Sequence, residues 1–428
     1  MRNATRPPHA PSYVKIIPIG VLAAALIAST AAASAVTPSG GGPAQVVLGH
    51  LQSNTGYGTS TVATNPRGAS IAVWSALQGH KYRYLAATRA PGESWSAPHV
   101  LAQNVQDGRI FADISVSGRA TAIWTLGSGS GTVHYATETG SKWSAGHVLP
   151  GSDGFNATSF AKAPNGYGVL AGNKYVKVNP SKPVLSIAYV RKLSPAGKWG
   201  PALRVSSNLL PTYQGKTHAG TGASDVQAAI DGAGSVIAAW GWSYFQDPSG
   251  AFTRLQRNNV GAGGKVGKVV DLKPTPTFHE GVESVLMSSA GYAAIVWSDD
   301  ESKTAYILTK TPTGPWLSTS RDIHSLGVGD DKTFLINNGA LSEFWVKPVA
   351  GAGSTTLTLY ASAFRFSAWS EPLVVDTDTV TGSDQISSNG LFAADGADNI
   401  YLLWGTQDVT KFLADQPSDT ALLTVLAP

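Results

Sequence analysis

A glycine, five mostly apolar or small residues and a tryptophan recur along this chain, as GASIAVW (68–74), GRATAIW (118–124), GSVIAAW (234–240), GYAAIVW (291–297) and GALSEFW (339–345). Two further copies depart at one end. GYGVLAG (166–172) has Gly172 in the tryptophan position, and DNIYLLW (398–404) has Asp398 in the glycine position, just after the turn dipeptide Asp395-Gly396. The seven copies set six intervals over the 330 residues from 74 to 404, a mean period of 55. Repetition at a fixed period of this size is the signature of a repeat architecture.

Each copy has the same surroundings. An apolar strand enters the turn before it: STVATNPRG, FADISVSG, SFAKAPNG, VQAAIDGAG, SVLMSSAG, TFLINNG and LFAADGAD. A strand of β-branched and aromatic residues follows, such as YRYLAATRA, TVHYATET, LSIAYVRKLS and TAYILTK. A Gly or Pro turn then leads to a closing segment: ESWSAPHVL, SKWSAGHVL, GKWGPALRV, GKVGKVVDL, GPWLSTSRDI or SAWSEPLVV. Four short strands per repeat, joined by tight turns, describe a propeller blade. The expected fold is all-β, a seven-bladed β-propeller of four-stranded antiparallel blades. Its repeats fall at 61–74, 111–124, 159–172, 226–240, 284–297, 333–345 and 391–404. Only six closing segments accompany the seven copies. In GGPAQVVLGH (41–50), AQVVL mirrors APHVL, so the N-terminal strand is expected to complete the last blade, with TALLTVLAP (420–428) its rival.

The first 35 residues read differently. Arg2, Arg6 and Lys15 precede the apolar run IIPIGVLAAALIA (16–28), and Ala33-Ser34-Ala35 is a small-residue cleavage site. That is the pattern of a secretory signal peptide at 1–35, leaving one propeller domain at 36–428, exported and monomeric, with no membrane span in its mature form. Removing the leader takes three of the 31 basic residues and none of the 27 acidic ones, so 28 − 27 leaves a net charge of +1. With no Lys/Arg run, nucleic acid is not an expected partner. The chain has no cysteine, which excludes disulfides and thiolate metal sites.

The turns TRAPGESW (88–95) and ATETGSKW (136–143) place Gly92 and Gly140 three residues before a tryptophan. This resembles the Asp-box, S/T-x-D-x-G-x-x-W, of sialidase-like propellers, with Ala90 and Glu138 at the Asp position. The resemblance implies a secreted propeller in which the box is a structural turn away from the active site. Sialidases hold a substrate carboxylate with three arginines, the first in an F/Y-R-I-P motif. The nearest match here is GRIF (108–111), which lacks the proline and follows the first box, so no catalytic role is carried to Arg109.

In a propeller, the loops between blades share one face with the hairpins joining second and third strands. The turns of the opposite face are short throughout, as in SVSGRA, DGAG and PAGK. Long segments cluster instead around blade four: 206–225 leads in, 241–252 joins its middle strands and 273–283 leads out, with 173–184 approaching from blade three. They carry Tyr213, Lys216, His218, Trp242, Tyr244, Phe245, Asp247, His279 and Glu280, aromatic faces beside polar groups, the materials of a sugar-binding surface.

The repeat tryptophans Trp74, Trp124, Trp240, Trp297, Trp345 and Trp404 are expected to pack between blades, and Trp95, Trp143, Trp199, Trp316 and Trp369 to anchor turns. Trp242 lies beyond the repeat position and is either packed or exposed. His218, Asp247, His279 and Glu280 are acceptable metal ligands, but they lack a fixed spacing, so no metal and no cofactor is assigned. The acidic run Asp299-Asp300-Glu301 reads as a solvated loop tip. The expected function is binding of an extracellular ligand, above all a glycan, on the blade-four face without catalysis. The alternatives are a sialidase-like glycoside hydrolase or polysaccharide lyase, and a protein-interaction scaffold.

Overall fold

A computed structural model of the chain describes residues 44–426 apart from 52–59, 79–80, 127–130, 178–183, 208–211, 214–215, 218–221, 247–249, 273–279, 300–303, 323–331, 338–339, 352–353, 366–367, 382–383, 395–399, 409–418 and residues 66, 92, 107 and 164. The signal-peptide reading therefore lies outside the described residues. Every described element is a strand, in keeping with an all-β chain. None is a helix able to cross a membrane.

The strands form antiparallel meanders in chain order. Ser60–Thr64, Ser70–Gln78, Lys81–Arg89 and His99–Val105 make the first. In the second, Ile110–Ile114, Ala120–Thr125 and Val133–Thr139 are followed by Lys142–Trp143 and His147–Val148, both paired to the third strand. The third and fourth run Phe155–Lys162 to Trp199–Arg204 and Gly222–Ile230 to Val270–Asp271; one parallel pairing, Ser186 with Gly222, joins them into an eight-stranded sheet. The fifth is Glu280–Met287 to Trp316–Asp322, and the sixth Lys332–Asn337 to Leu373–Thr381. The remaining sheet carries both ends: Asp384–Ala394, Ile400–Asp408 and Asp419–Leu426 pair in order, and Ala44–Leu51 pairs outside the last.

The apolar repeat follows from packing on both sides of the second strand. Side chains alternate between the two faces of a strand, and in the second and fourth meanders each face meets a neighbouring meander. Ala122 and Trp124 join a cluster with Ile71, Val73 and Tyr84, whereas Ile123 joins Phe155, Ala157 and Leu170 on the other side. Likewise Ala238 and Trp240 pack against the third meander, and Ile237 and Ala239 against the fifth. This is why ATAIWT, the strand Ala120–Thr125, is buried at every residue. Where the third strand offers an aromatic cross-strand partner, the repeat tryptophan stacks on it: Trp124 on His134, Trp297 on Tyr306 and Trp345 on Tyr360, at centroid distances of 5.8, 5.7 and 5.5 Å. Trp74, Trp124, Trp240, Trp297 and Trp345 are all buried, as expected of packing residues.

The repeat glycine is explained by backbone conformation. Gly68, Gly118, Gly166, Gly234 and Gly291 have φ between 82° and 96°, the left-handed region that costs a side-chain-bearing residue free energy. Each ends a tight turn closed by its own N–H, as in Gly118 N to Ser115 O at 2.8 Å.

The closing segments have a second structural device, the serine after the tryptophan. The hydroxyls of Ser96, Ser144 and Ser370 accept from the N–H groups of Thr88, Thr137 and Ala363 at 3.0–3.1 Å, while their own N–H groups donate to the carbonyls of the same residues. Tryptophan and serine thus fasten the outer segment to the third strand together. Trp95, Trp143, Trp199, Trp316 and Trp369 are half-buried at these turns; the guanidinium of Arg89 lies over Trp95 and that of Arg257 over Trp316.

Candidate functional site

Contacts between meanders separate two faces. On one, first turns touch each other in sequence: Asn65 Nδ2 donates to Ser115 O at 2.6 Å, Asn165 Nδ2 to Gly232 O, and Gly232 N to Ser289 O at 2.9 Å. Third turns share this face, with Lys192 Nζ donating to Ala262 O at 2.6 Å. On the other, a middle hairpin meets a loop between meanders: Lys174 Nζ, near the end of Gly168–Lys177, donates to Gly151 O at 2.8 Å. Burial and the nearby Arg191 draw the Lys174 ammonium below the usual lysine range, against the pull of Asp153.

The hairpins of this second face are long in the third and fourth meanders. Gly168–Lys177 pairs with Val184–Leu193 through ten residue pairs, and Val236–Gln246 with Gly250–Val260 through eleven. What the sequence presents as a loop at 241–252 is therefore mostly the upper half of a hairpin. The sixth meander has a hairpin as long, Ala340–Gly351 with Ser354–Arg365, which sequence reading missed. Its signal was the 24-residue spacing from Trp345 to Trp369, against 21 from Trp74 to Trp95.

The structure places the expected site residues unevenly. Tyr213 and Lys216 are paired in a two-stranded hairpin, Thr212–Tyr213 with Lys216–Thr217. Tyr244 pairs with Phe252 and Phe245 with Ala251 near the end of the fourth meander's hairpin, and Glu280 opens the fifth meander opposite Asp299. His218, Asp247 and His279 lie outside the described residues. Among the described residues, no three His, Cys, Asp or Glu gather as metal ligands would.

Trp242, which the sequence leaves open between packed and exposed, is packed. It is 4% exposed and packs in the cluster that holds Trp240, Leu185, Ile187 and Ala223. Two residues beyond Trp240 on the same strand, it points to the same side and extends the seam between the third and fourth meanders upward. It can support a rim but offers no free face to a ligand.

That seam is also polar. Asn156 Nδ2 donates to Asn173 Oδ1 at 3.0 Å, Asn173 Nδ2 to Ser186 Oγ at 2.6 Å, and Ser186 Oγ to Ala223 O at 2.6 Å. The chain crosses from the first strand of the third meander to the first strand of the fourth, through Asn173 and Ser186 at 3% and 2% exposure. It explains why Gly172 replaces the repeat tryptophan. A Cβ there would sit 2.2 Å from Asn156 O, so only glycine lets the strands close on this network.

Glu138 lies beside the turn that joins Val133–Thr139 to Lys142–Trp143 in the second meander. It is 7% exposed and accepts from Thr88 Oγ1 at 3.0 Å, across the seam to the first meander. Burial raises its pKa above the usual carboxylate value, opposed by that hydrogen bond and by the charge of His99. The His99 ring itself stacks on Trp143 at 5.8 Å. These contacts make the turn a junction between meanders.

Neither a family model nor a curated protein matches the chain. Similar solved structures include a protein of unknown function from Dyadobacter fermentans, 11% identical with a TM-score of 0.46, covering 90% of this chain and 98% of that one. The polysaccharide lyase Uly1 is 10% identical with a TM-score of 0.40, covering 86% and 77%. The NanB sialidase of Streptococcus pneumoniae is 10% identical with a TM-score of 0.41, covering 88% and 69%.

Proposed function

We propose that this chain is a secreted, monomeric, seven-bladed β-propeller that binds a glycan on its long-hairpin face around the fourth blade and does not turn it over. The observation that carries this reading is the asymmetry of the two faces. One is closed by tight turns hydrogen-bonded to one another; the other carries the long hairpins of the third, fourth and sixth meanders, of which the third and fourth are joined through Ser186 and Gly222. Binding residues concentrate where a rigid scaffold presents extended segments. The adjacency of Ser60–Thr64 and Asp384–Ala394, together with the pairing of Ala44–Leu51 outside Asp419–Leu426, supports a ring whose last blade is completed by the N-terminal strand.

Tyr213, Lys216, His218, Tyr244, Phe245, Asp247, His279 and Glu280 supply the rim in this reading, with Trp242 as the packed wall beneath it. Ring faces of Tyr and Phe stack on the apolar face of a sugar, and amide, imidazole and carboxylate groups take its hydroxyls. The test is a glycan array on the mature protein, repeated with Tyr213→Ala and Tyr244→Ala. Specific binding that both substitutions weaken supports the site. Binding indifferent to both removes it, and release of products from an arrayed sugar replaces binding with catalysis.

A further inference from the structure

Tyr175 is the one aromatic among the large apolar side chains exposed on the described surface, at 56%. It lies on the upper part of Gly168–Lys177, on the strand face that carries Val169 and Ala171 into the seam with the fourth meander. Its cross-strand partner is Ser186, the residue that hydrogen-bonds Ala223 O and pairs with Gly222 at the start of the fourth meander. The exposed ring therefore stands directly above the junction of the two meanders. Its base is held by the buried Asn173 and Ser186 and by the adjacent Lys174, tied to Gly151 O.

Lys177 is also exposed, and lies two residues along the same strand. Residues i and i+2 of a strand share a face about 7 Å apart, roughly the width of a sugar ring. Opposite Lys177 is Val184, 41% exposed, which extends the apolar ground beside the ammonium. The sequence 173–184, NKYVKVNPSKPV, has three lysines and no acidic residue, in a mature chain whose net charge is only +1. An aromatic face beside an exposed ammonium favours a ligand with an apolar ring face and a negative substituent.

We infer that Tyr175 and Lys177 form a subsite for an acidic sugar, a uronate or a sulfated pyranose. The ring stacks on Tyr175 and its carboxylate or sulfate pairs with Lys177 Nζ. This inference rests on the glycan-binding reading above and adds a residue pair and a ligand class to it. It also assigns stacking to a strand residue of the third blade, where Trp242 of the fourth cannot supply it.

The experiment uses the mature protein on arrayed oligogalacturonate, chondroitin sulfate and neutral cello-oligosaccharides, with Tyr175→Ala, Tyr175→Phe and Lys177→Gln. Both positions are exposed, so thermal melts should match the parent and separate loss of binding from loss of fold. Binding to an acidic probe should fall about tenfold in Tyr175→Ala and stay near the parent in Tyr175→Phe, the cost of a lost stacking face. Lys177→Gln should weaken the acidic probe alone and flatten its salt dependence. Acidic binding that survives both Tyr175→Ala and Lys177→Gln overturns the subsite and leaves the face reading standing. Preference for the neutral probe also overturns it. No binding to any probe overturns both readings together.

Discussion

Replacing Gly172 with alanine tests whether the break in the tryptophan repeat is built for the seam beneath the rim. The new Cβ would stand 2.2 Å from Asn156 O and 2.9 Å from Ala157 Cα, whereas ordinary contact begins at 3.4 Å. The first and second strands of the third meander must then part by about 1 Å, a shift well beyond what a close-packed interior absorbs without loss. Such a shift breaks the bond from Asn156 to Asn173 and strains the bonds through Ser186 to Ala223. Overpacking costs about 1–3 kcal/mol, and a buried polar group left without its partner about 1–3 kcal/mol more. A total of about 2–6 kcal/mol is expected. Gly118→Ala is the control: at φ +83°, with nothing within 4 Å of its Cβ, it pays only the backbone term of about 1–2 kcal/mol. Urea unfolding followed by tryptophan fluorescence measures both midpoints. Equal losses in the two variants would refute the reasoning, because the contact at Asn156 would then contribute nothing.

Lys162 and Asp113 form an ion pair between the first strands of the second and third meanders, the lysine side chain 3% exposed. Lys162→Met should cost about 1–3 kcal/mol by taking the ammonium from a largely buried carboxylate that keeps its Ile114 backbone bond and Arg119 nearby, and Asp113→Leu in the same chain should recover most of it, measured as a double-mutant cycle. Glu138 is the source of a pH dependence. Its folded pKa is raised by burial above the unfolded value, so the folded state holds the proton more tightly and stability falls as pH rises from the unfolded value through the folded one. Glu138→Gln should remove that fall from the urea midpoint as pH rises above the ordinary glutamate value, while an unchanged slope would place the titration elsewhere.

The glycine-to-tryptophan period was legible because two physical demands recur with it: a left-handed turn residue, then a strand packed on both faces. The short turns were legible for the same reason, since Asn65, Ser115 and Asp231 mark tight turns by residue type. Gly172 was visible as an exception but its cause was not. The network it admits joins Asn156, Asn173, Ser186 and Ala223, which are brought together only by the pairing of two meanders. Trp242 was open to two readings because a hairpin that extends past the repeat position is indistinguishable, residue by residue, from a loop. Tyr175 was passed over because an alternating Tyr-Val-Lys segment near Pro180 and Pro183 reads as part of a loop, whereas it is paired strand as far as Lys177. The serines of the Trp-Ser pairs were quoted in the repeat yet carry a bond that only the folded turn displays.

Hydrogen–deuterium exchange of the mature protein, with and without a glycan selected on the array, addresses the ligand-bearing face most directly. The account predicts protection confined to the long hairpins of one face, at 173–177, 184–186, 241–246 and 250–252. Protection centred on the opposite turns, at 115–119, 231–235 and 288–292, would contradict it.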